Sequence, residues 1–154
     1  LTGQNNAEKA YNFFLSKEGG SFTAAQSAGI IGNLIAESGK NLNPTIVSGF
    51  KDEGSFGIAQ WNPSKAAGFR LQELKRFCKD SNLNFRTLYA QLKFIVYELG
   101  KYPYLGLGKL RKAQTPEEAS RIFERFYERP APGSTQKRIA FALEIDKKLG
   151  IGAA

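Results

Sequence analysis

The sequence predicts a mainly α-helical single domain of six to eight helices, broken once by a small hairpin or loop over residues 41–62. Apolar residues recur at helical spacing, most clearly at Leu88, Leu92, Ile95 and Leu99. Helix start and stop signals punctuate the chain throughout. Residues 41–62 lose the helical period and carry glycines at positions 49, 54 and 57.

The elements follow in order. A first short helix over residues 7–17 is ended by Gly19-Gly20. Thr23 and Gln26 form a capping box, the hydroxyl and the amide each satisfying a backbone donor as the second helix starts. That helix runs to about Ser38, and Gly39 suits the position just past its end. After the irregular stretch, Pro63 fits a first helical turn and the pattern continues to Asp80. The stripe from Leu88 to Leu99 defines the next helix. Gly100 to Gly108 interrupt it around Tyr102-Pro103-Tyr104, before a short helix through Leu110. Thr115-Pro116-Glu117-Glu118 is a strong helix start, with a cap, a first-turn proline and acidic residues at the positive end of the helix dipole. Ala119, Ile122, Phe123 and Phe126 form its expected buried face. Pro130-Ala131-Pro132-Gly133 breaks the chain, and a last helix over residues 135–149 turns Ile139, Ala142 and Leu143 inward. No internal repeat or low-complexity segment is visible.

Composition narrows the function. At 154 residues, 42% of them apolar, with twelve Phe and six Tyr, the chain can bury a core without disulfides or metal. No apolar run reaches the roughly 18 residues that would span a bilayer, so no membrane insertion is expected. The chain has no histidine, which removes histidine triads, the usual base for a catalytic cysteine and most zinc sites; no cofactor is implied. Cys78 shares a helical face with Leu71 and Leu74 and reads as a buried structural thiol. No charged-then-apolar leader opens the sequence and it contains no Met, so it reads as a domain excised from a longer protein. The net charge of +8 favours a polyanionic partner: nucleic acid, an anionic membrane surface or the bacterial cell wall. The basic residues are scattered, densest at Lys75-Arg76, Lys109 to Lys112 and Lys147-Lys148. No zinc-finger spacing or aromatic RNA-binding motif accompanies them, so nucleic acid is not the expected partner.

Two segments carry chemistry. In GIIGNLIAESG, residues 29–39, Glu37 lies seven and three residues after Ile30 and Leu34 and extends their apolar stripe. Burial and the negative end of the helix dipole both raise the pKa expected of such a carboxyl, toward the range in which a general acid works near neutral pH. A glutamate in a last turn can equally face outward or pair with Lys40. In SFGIAQW, residues 55–61, an extended strand would put Phe56, Ile58 and Gln60 on one face, leaving the Gln60 amide in need of partners there. Gly57 permits close backbone approach to a ligand, and Trp61 offers either a stacking surface for a pyranose ring or a core side chain. Together the segments point to a glycosidase-type acid beside a cleft. Asp52 and Glu53, in the glycine-rich loop before SFGIAQW, are the nearest second carboxylates; a solvated acidic turn explains them equally well. Glu98, Glu128 and Glu144 read as helix-surface charges. Tyr97, off the Leu88 to Leu99 stripe, and Tyr127, before the Glu-Arg-Pro break, can pack or reach a sugar, and Tyr102 and Tyr104 can line an entrance.

These residues resemble the phage tail lysozyme family within the lysozyme and lytic transglycosylase superfamily, in which a Glu-Ser closes a helix and a Gly-[Leu/Ile]-x-Gln turn follows. The resemblance extends to Leu42-Asn43-Pro44, to the segment from Leu92 to Leu99, to Thr115-Pro116-Glu117-Glu118-Ala119 and to Phe126-Tyr127-Glu128-Arg129-Pro130, covering residues 7–145. It implies the mainly helical lysozyme fold and the glycan strand of peptidoglycan as substrate. By the resemblance Glu37 would protonate the glycosidic oxygen; by position and residue type, Asp52 or Glu53 would assist, and Ser55, Gln60, Trp61, Tyr97 and Tyr127 would bind substrate. The implied partners are peptidoglycan and the other domains of a phage tail protein, and the implied location is the virion tail, acting at the cell wall. Hydrolysis and anhydro-forming transglycosylation both remain open, since transglycosylases manage with one glutamate and the substrate's N-acetyl group. Chitin as substrate, a non-catalytic wall-binding tail module and a nucleic-acid-binding domain are the competing readings.

Overall fold

The computed structural model describes residues 1–48 and 54–150, and these form a mainly helical domain with seven α-helices and almost no strand. In chain order they are α1 (Asn6–Leu15), α2 (Ala24–Ser38), α3 (Arg70–Asp80), α4 (Leu88–Lys101), α5 (Leu107–Leu110), α6 (Pro116–Ile122) and α7 (Thr135–Ile145). A 3₁₀ turn (Pro103–Leu105) joins α4 to α5. Helices α6 and α7 widen into π-helical turns over Phe123–Glu128 and Asp146–Gly150.

The start signals act as read from the sequence. Thr23 Oγ1 accepts from the Gln26 N–H at 3.1 Å while Gln26 Oε1 accepts from the Thr23 N–H at 3.0 Å, closing the capping box of α2. Gln26 Nε2 reaches further, donating to the Arg111 and Ala113 carbonyls and tying this helix start to the end of α5. Thr115 caps α6 through the Glu118 N–H at 3.1 Å, with Pro116 in the first turn.

Helix α2 is the axis of the domain. Every residue from Gln26 to Ile35 is buried, and α1, α6 and α7 pack around it. Two of its glycines set the spacing. A Cβ on Gly29 would lie 2.4 Å from the Ala119 Cβ on α6, and one on Gly32 would lie 2.6 Å from the Ala142 backbone nitrogen on α7. Only glycine allows both neighbours this close. The approach of α7 brings its side chains to the end of α2, where Glu37 sits.

Three expectations are corrected. The helix read from Pro63 starts only at Arg70. Gly68 (φ +80°) and Phe69 (φ +55°) are left-handed, and the Ser64 carbonyl and hydroxyl accept from the Phe69 and Ala67 N–H groups, closing a compact turn. Apolar periodicity does not register such a pair of left-handed residues. Leu143 is 43% exposed, because α7 buries Arg138, Ile139, Ala142 and Ile145 instead. The strand expected over SFGIAQW is a tight turn: Phe56 pairs antiparallel with both Val47 and Trp61, and residues 57–60 reverse the chain between them. Among the described residues of 41–62, the small hairpin is present in that form. Cys78 is buried in the core as expected, and burial pushes its thiol pKa up to about 11.

Gln91 of α4 fixes the hairpin to the domain. Its Oε1 accepts from the Ile58 N–H at 2.9 Å, and its Nε2 donates to the Pro44 and Phe85 carbonyls at 2.7 and 2.9 Å. Gly57 is needed on this inner side: a Cβ there would lie 2.8 Å from Gln91 Oε1 and 3.0 Å from the Trp61 ring. The close approach expected at Gly57 is therefore to the core.

Candidate active site

A cleft of about 870 Å³ opens between the end of α2, the hairpin, the Ser64 to Ala67 turn and the segment after the Phe123–Glu128 turn. Glu37, Ser55, Gln60, Arg70, Glu128 and Arg129 are among its lining residues. Two of them, Gln60 (φ +56°) and Arg129 (φ +50°), hold left-handed backbone without being glycine. Such conformations cost of order 1–3 kcal/mol each and persist where surrounding structure enforces them.

Glu37 projects from the last turn of α2 with 17% of its side chain exposed. Its Oε2 accepts from Arg138 Nη2 at 2.7 Å. Arg138 is 4% exposed and is held at two further points: Nη1 donates to Asn33 Oδ1 and Nε to Ser134 Oγ, both at 2.9 Å. Asn33, one turn before Glu37 on α2, is itself fixed by donating to the Ser120 and Gly29 carbonyls. A chain of buried polar groups from α6 and α7 thus sets the position of the Glu37 carboxylate. The guanidinium favours a charged carboxylate, opposing the burial and helix-end effects read from the sequence. Lys40 takes no part in this pair; it lies 3.9 Å from Glu144.

Beneath the cleft floor lies a second network. Arg70 grips Glu98 with Nε on Oε2 and Nη2 on Oε1, both at 3.0 Å. Glu98 Oε1 also accepts from the Tyr127 hydroxyl at 2.6 Å and from Trp61 Nε1 at 3.0 Å. Arg70 Nη1 donates to the Tyr127 carbonyl at 2.8 Å, and its guanidinium lies 4.5 Å from the Tyr127 ring centre. Burial pulls the Arg70 pKa down, but the neighbouring Tyr127 and Glu98 outweigh it and the net shift is upward. Burial, reinforced by the Glu98 charge, raises the Tyr127 hydroxyl well above its ordinary value. Glu98 is therefore no surface charge; it is the buried joint between α3, α4, the hairpin and the Tyr127 segment.

Glu128 also departs from the surface reading. Its Oε2 is buried and has no hydrogen-bond partner among the described residues. Burial raises its pKa well above the ordinary value, and the charge of Glu37 adds to this against the pull of Arg138 and Arg70. Of the three glutamates read as surface charges, only Glu144 is one, paired with Lys148 at 2.9 Å.

The predicted site residues divide accordingly. Glu37, Ser55 and Gln60 are brought together in the cleft lining, and Gln60 Nε2 turns back to the Gly57 carbonyl at 3.0 Å. Trp61 and Tyr127 are fully buried, so neither offers a ring face to a sugar; both were expected to touch substrate, and both instead support the floor through Glu98. Tyr97 is 39% exposed but packs on Phe77, with ring centres 4.7 Å apart, and does not line the cleft. Tyr102 and Tyr104 border a small adjoining pocket with Arg70 and Arg129. Asp52 and Glu53 lie outside the described residues.

Arg138, Asn33, Arg70 and Glu98 were missed. A sequence signal existed for Arg138, which shares the buried stripe of α7 with Ala142 and Ile145 at i, i+4 and i+7, and for Glu98, which follows buried Gln91 by seven residues on α4. Among the described residues no cluster of acidic or Cys side chains has the grouping of a metal site, and no helix is long and apolar enough to cross a membrane. A cleft between a central helix and a hairpin, with a carboxylate at the helix end, agrees with the sequence resemblance. The family model of phage tail lysozymes matches residues 5–149, nearly the whole chain, and the protein belongs to that family.

Proposed function

We propose that the protein is a muramidase that cleaves the β-1,4 bond between N-acetylmuramic acid and N-acetylglucosamine in peptidoglycan, with Glu37 as general acid. Membership of the phage tail lysozyme family supports a peptidoglycan-lytic role. The observation that carries the residue assignment is the Glu37 carboxyl, partly exposed in an open cleft and held by Arg138 at 2.7 Å. A fixed carboxyl at a cleft wall is what proton delivery to a glycosidic oxygen requires.

In this reading the Glu37 proton passes to the glycosidic oxygen as the bond from that oxygen to C1 breaks. Water then adds to the oxocarbenium-like centre, giving its hydroxyl to C1 and a proton back to the carboxylate. Asp52 or Glu53 would orient that water or stabilise the positive charge, and Ser55 and Gln60 would hydrogen-bond the sugars. The surplus of positive charge, +8 over the chain, suits an anionic cell wall. The protein would act from the phage tail at the cell wall, with other tail domains as its partners.

The test is mass spectrometry of fragments released from purified peptidoglycan. Reducing ends carrying added water support the muramidase. Anhydro-muramyl ends would replace it with a lytic transglycosylase on the same glutamate, and no release at all would leave a wall-binding tail module.

A further inference from the structure

Glu128 is half-buried, and its Oε2 atom is buried with no hydrogen-bond partner among the described residues. It closes the Phe123–Glu128 π-helical turn and is clamped on both sides. Before it, Tyr127 is tied through its hydroxyl to Glu98 and through its carbonyl to Arg70. After it, Arg129 takes a strained left-handed backbone and its N–H donates to the Glu124 carbonyl at 2.7 Å. Glu128 lines the same cleft as Glu37, and its Oε2 is buried and unpartnered among the described residues. A structural carboxyl buried in a core would be expected to find donors, because an unpaired charged oxygen costs several kcal/mol there. Protonation lowers that cost, because a neutral oxygen is far cheaper to leave unpaired than a charged one.

The charged groups acting on Glu128 are Glu37 on α2, Arg138 on α7, Arg70 on α3 and Glu98 on α4. The two arginines are already committed, Arg138 to Glu37 and Arg70 to Glu98. Two carboxyls in one cleft repel each other when both are charged, so the first to ionise makes the second hold its proton.

We propose that Glu128 is the second carboxyl of the catalytic pair and that it shares a single proton with Glu37 in the resting cleft. This rests on the glycosidase reading of the Glu37 site. Arg138 favours the charged form of Glu37, while Glu128 holds its proton above the ordinary carboxyl range, so one proton stays with the pair. During cleavage the pair gives that proton to the glycosidic oxygen as its bond to C1 breaks. The water that adds at C1 returns a proton to the pair, which ends as it began.

The experiment is a carbon-detected NMR titration of the glutamate carboxyls in the whole domain, for wild type, Glu128→Gln and Glu37→Gln, beside pH–rate profiles on peptidoglycan. A carboxyl titrating well above the ordinary range, lost in Glu128→Gln and moved downward in Glu37→Gln, is the expected result. Glu128→Gln keeps the shape of the protonated acid, so it should fold; its kcat should fall about 100-fold with KM little changed, and its alkaline limb should shift. Glu128→Asp should recover part of the rate. Ordinary titration of Glu128, or wild-type kcat and pH profile in Glu128→Gln, overturns the pair while leaving the glycosidase intact. A wild type inactive on peptidoglycan overturns the glycosidase reading and with it the catalytic role of Glu128.

Discussion

Arg138 and Glu37, 101 residues apart in sequence, meet at 2.7 Å and join the start of α7 to the last turn of α2. The pair sits where the negative end of the α2 dipole would otherwise face a partly buried carboxylate, and Arg138 compensates both. Arg138 also holds Asn33 and Ser134, so its three donor nitrogens fix one wall of the cleft.

Removing Arg138 should therefore harm both stability and rate. Breaking a buried pair costs about 3 to 5 kcal/mol, because the remaining charge is left uncompensated. Arg138→Ala should lower Tm by about 10 °C in a domain of this size. Arg138→Met combined with Glu37→Gln should recover part of that loss, since no buried charge is stranded. Calorimetry on wild type and these two variants checks this, and an unchanged Tm in Arg138→Ala would contradict it.

Trp61→Phe separates a supporting tryptophan from a sugar platform. The substitution removes the N–H that Glu98 and Tyr127 share, leaving Glu98 held by Arg70 and Tyr127. A loss of about 1 to 3 kcal/mol in stability is expected. Affinity for soluble glycan fragments, measured by titration calorimetry, should not change. A lower affinity at unchanged Tm would instead make Trp61 a direct sugar contact.

Glu128 makes stability fall as pH rises. Its folded-state pKa lies well above the ordinary 4.5, so above that value the unfolded chain has lost a proton that the folded protein still binds. Stability from this group is full below 4.5 and drains away as pH climbs toward the folded pKa. Glu128→Gln should consequently melt higher than wild type at pH 7, with an advantage that shrinks as pH approaches 4.5. Thermal scans at several pH values test the sign. A wild type that gains on Glu128→Gln as pH rises would contradict it.

Local signals carried the fold well. The Thr23–Gln26 and Thr115–Glu118 caps and the Leu88 to Leu99 stripe are interactions within one or two turns, so sequence spacing reveals them. Glu37 was legible for the same reason, as an acid ending an apolar helix beside irregular chain. Arg138, Arg70 and Glu98 were not, because their meaning lies in pairings across 101 and 28 residues that no local period encodes. Trp61 and Tyr127 were read for their residue types, and burial decided otherwise. Glu128 resembled a helix-end surface charge; the left-handed Arg129 that follows it continues the chain along the cleft they both line. Gly68 and Phe69 hid the true start of α3, since backbone handedness leaves no trace in apolar spacing.

The most direct test of the central claim is fragment release from purified peptidoglycan by wild type and by Glu37→Gln at matched folded concentration. The variant should keep its fold and lose about 10² to 10⁴ in rate, the contribution of a positioned general acid. Release at the wild-type rate by folded Glu37→Gln would contradict it and move the chemistry to another residue of the cleft.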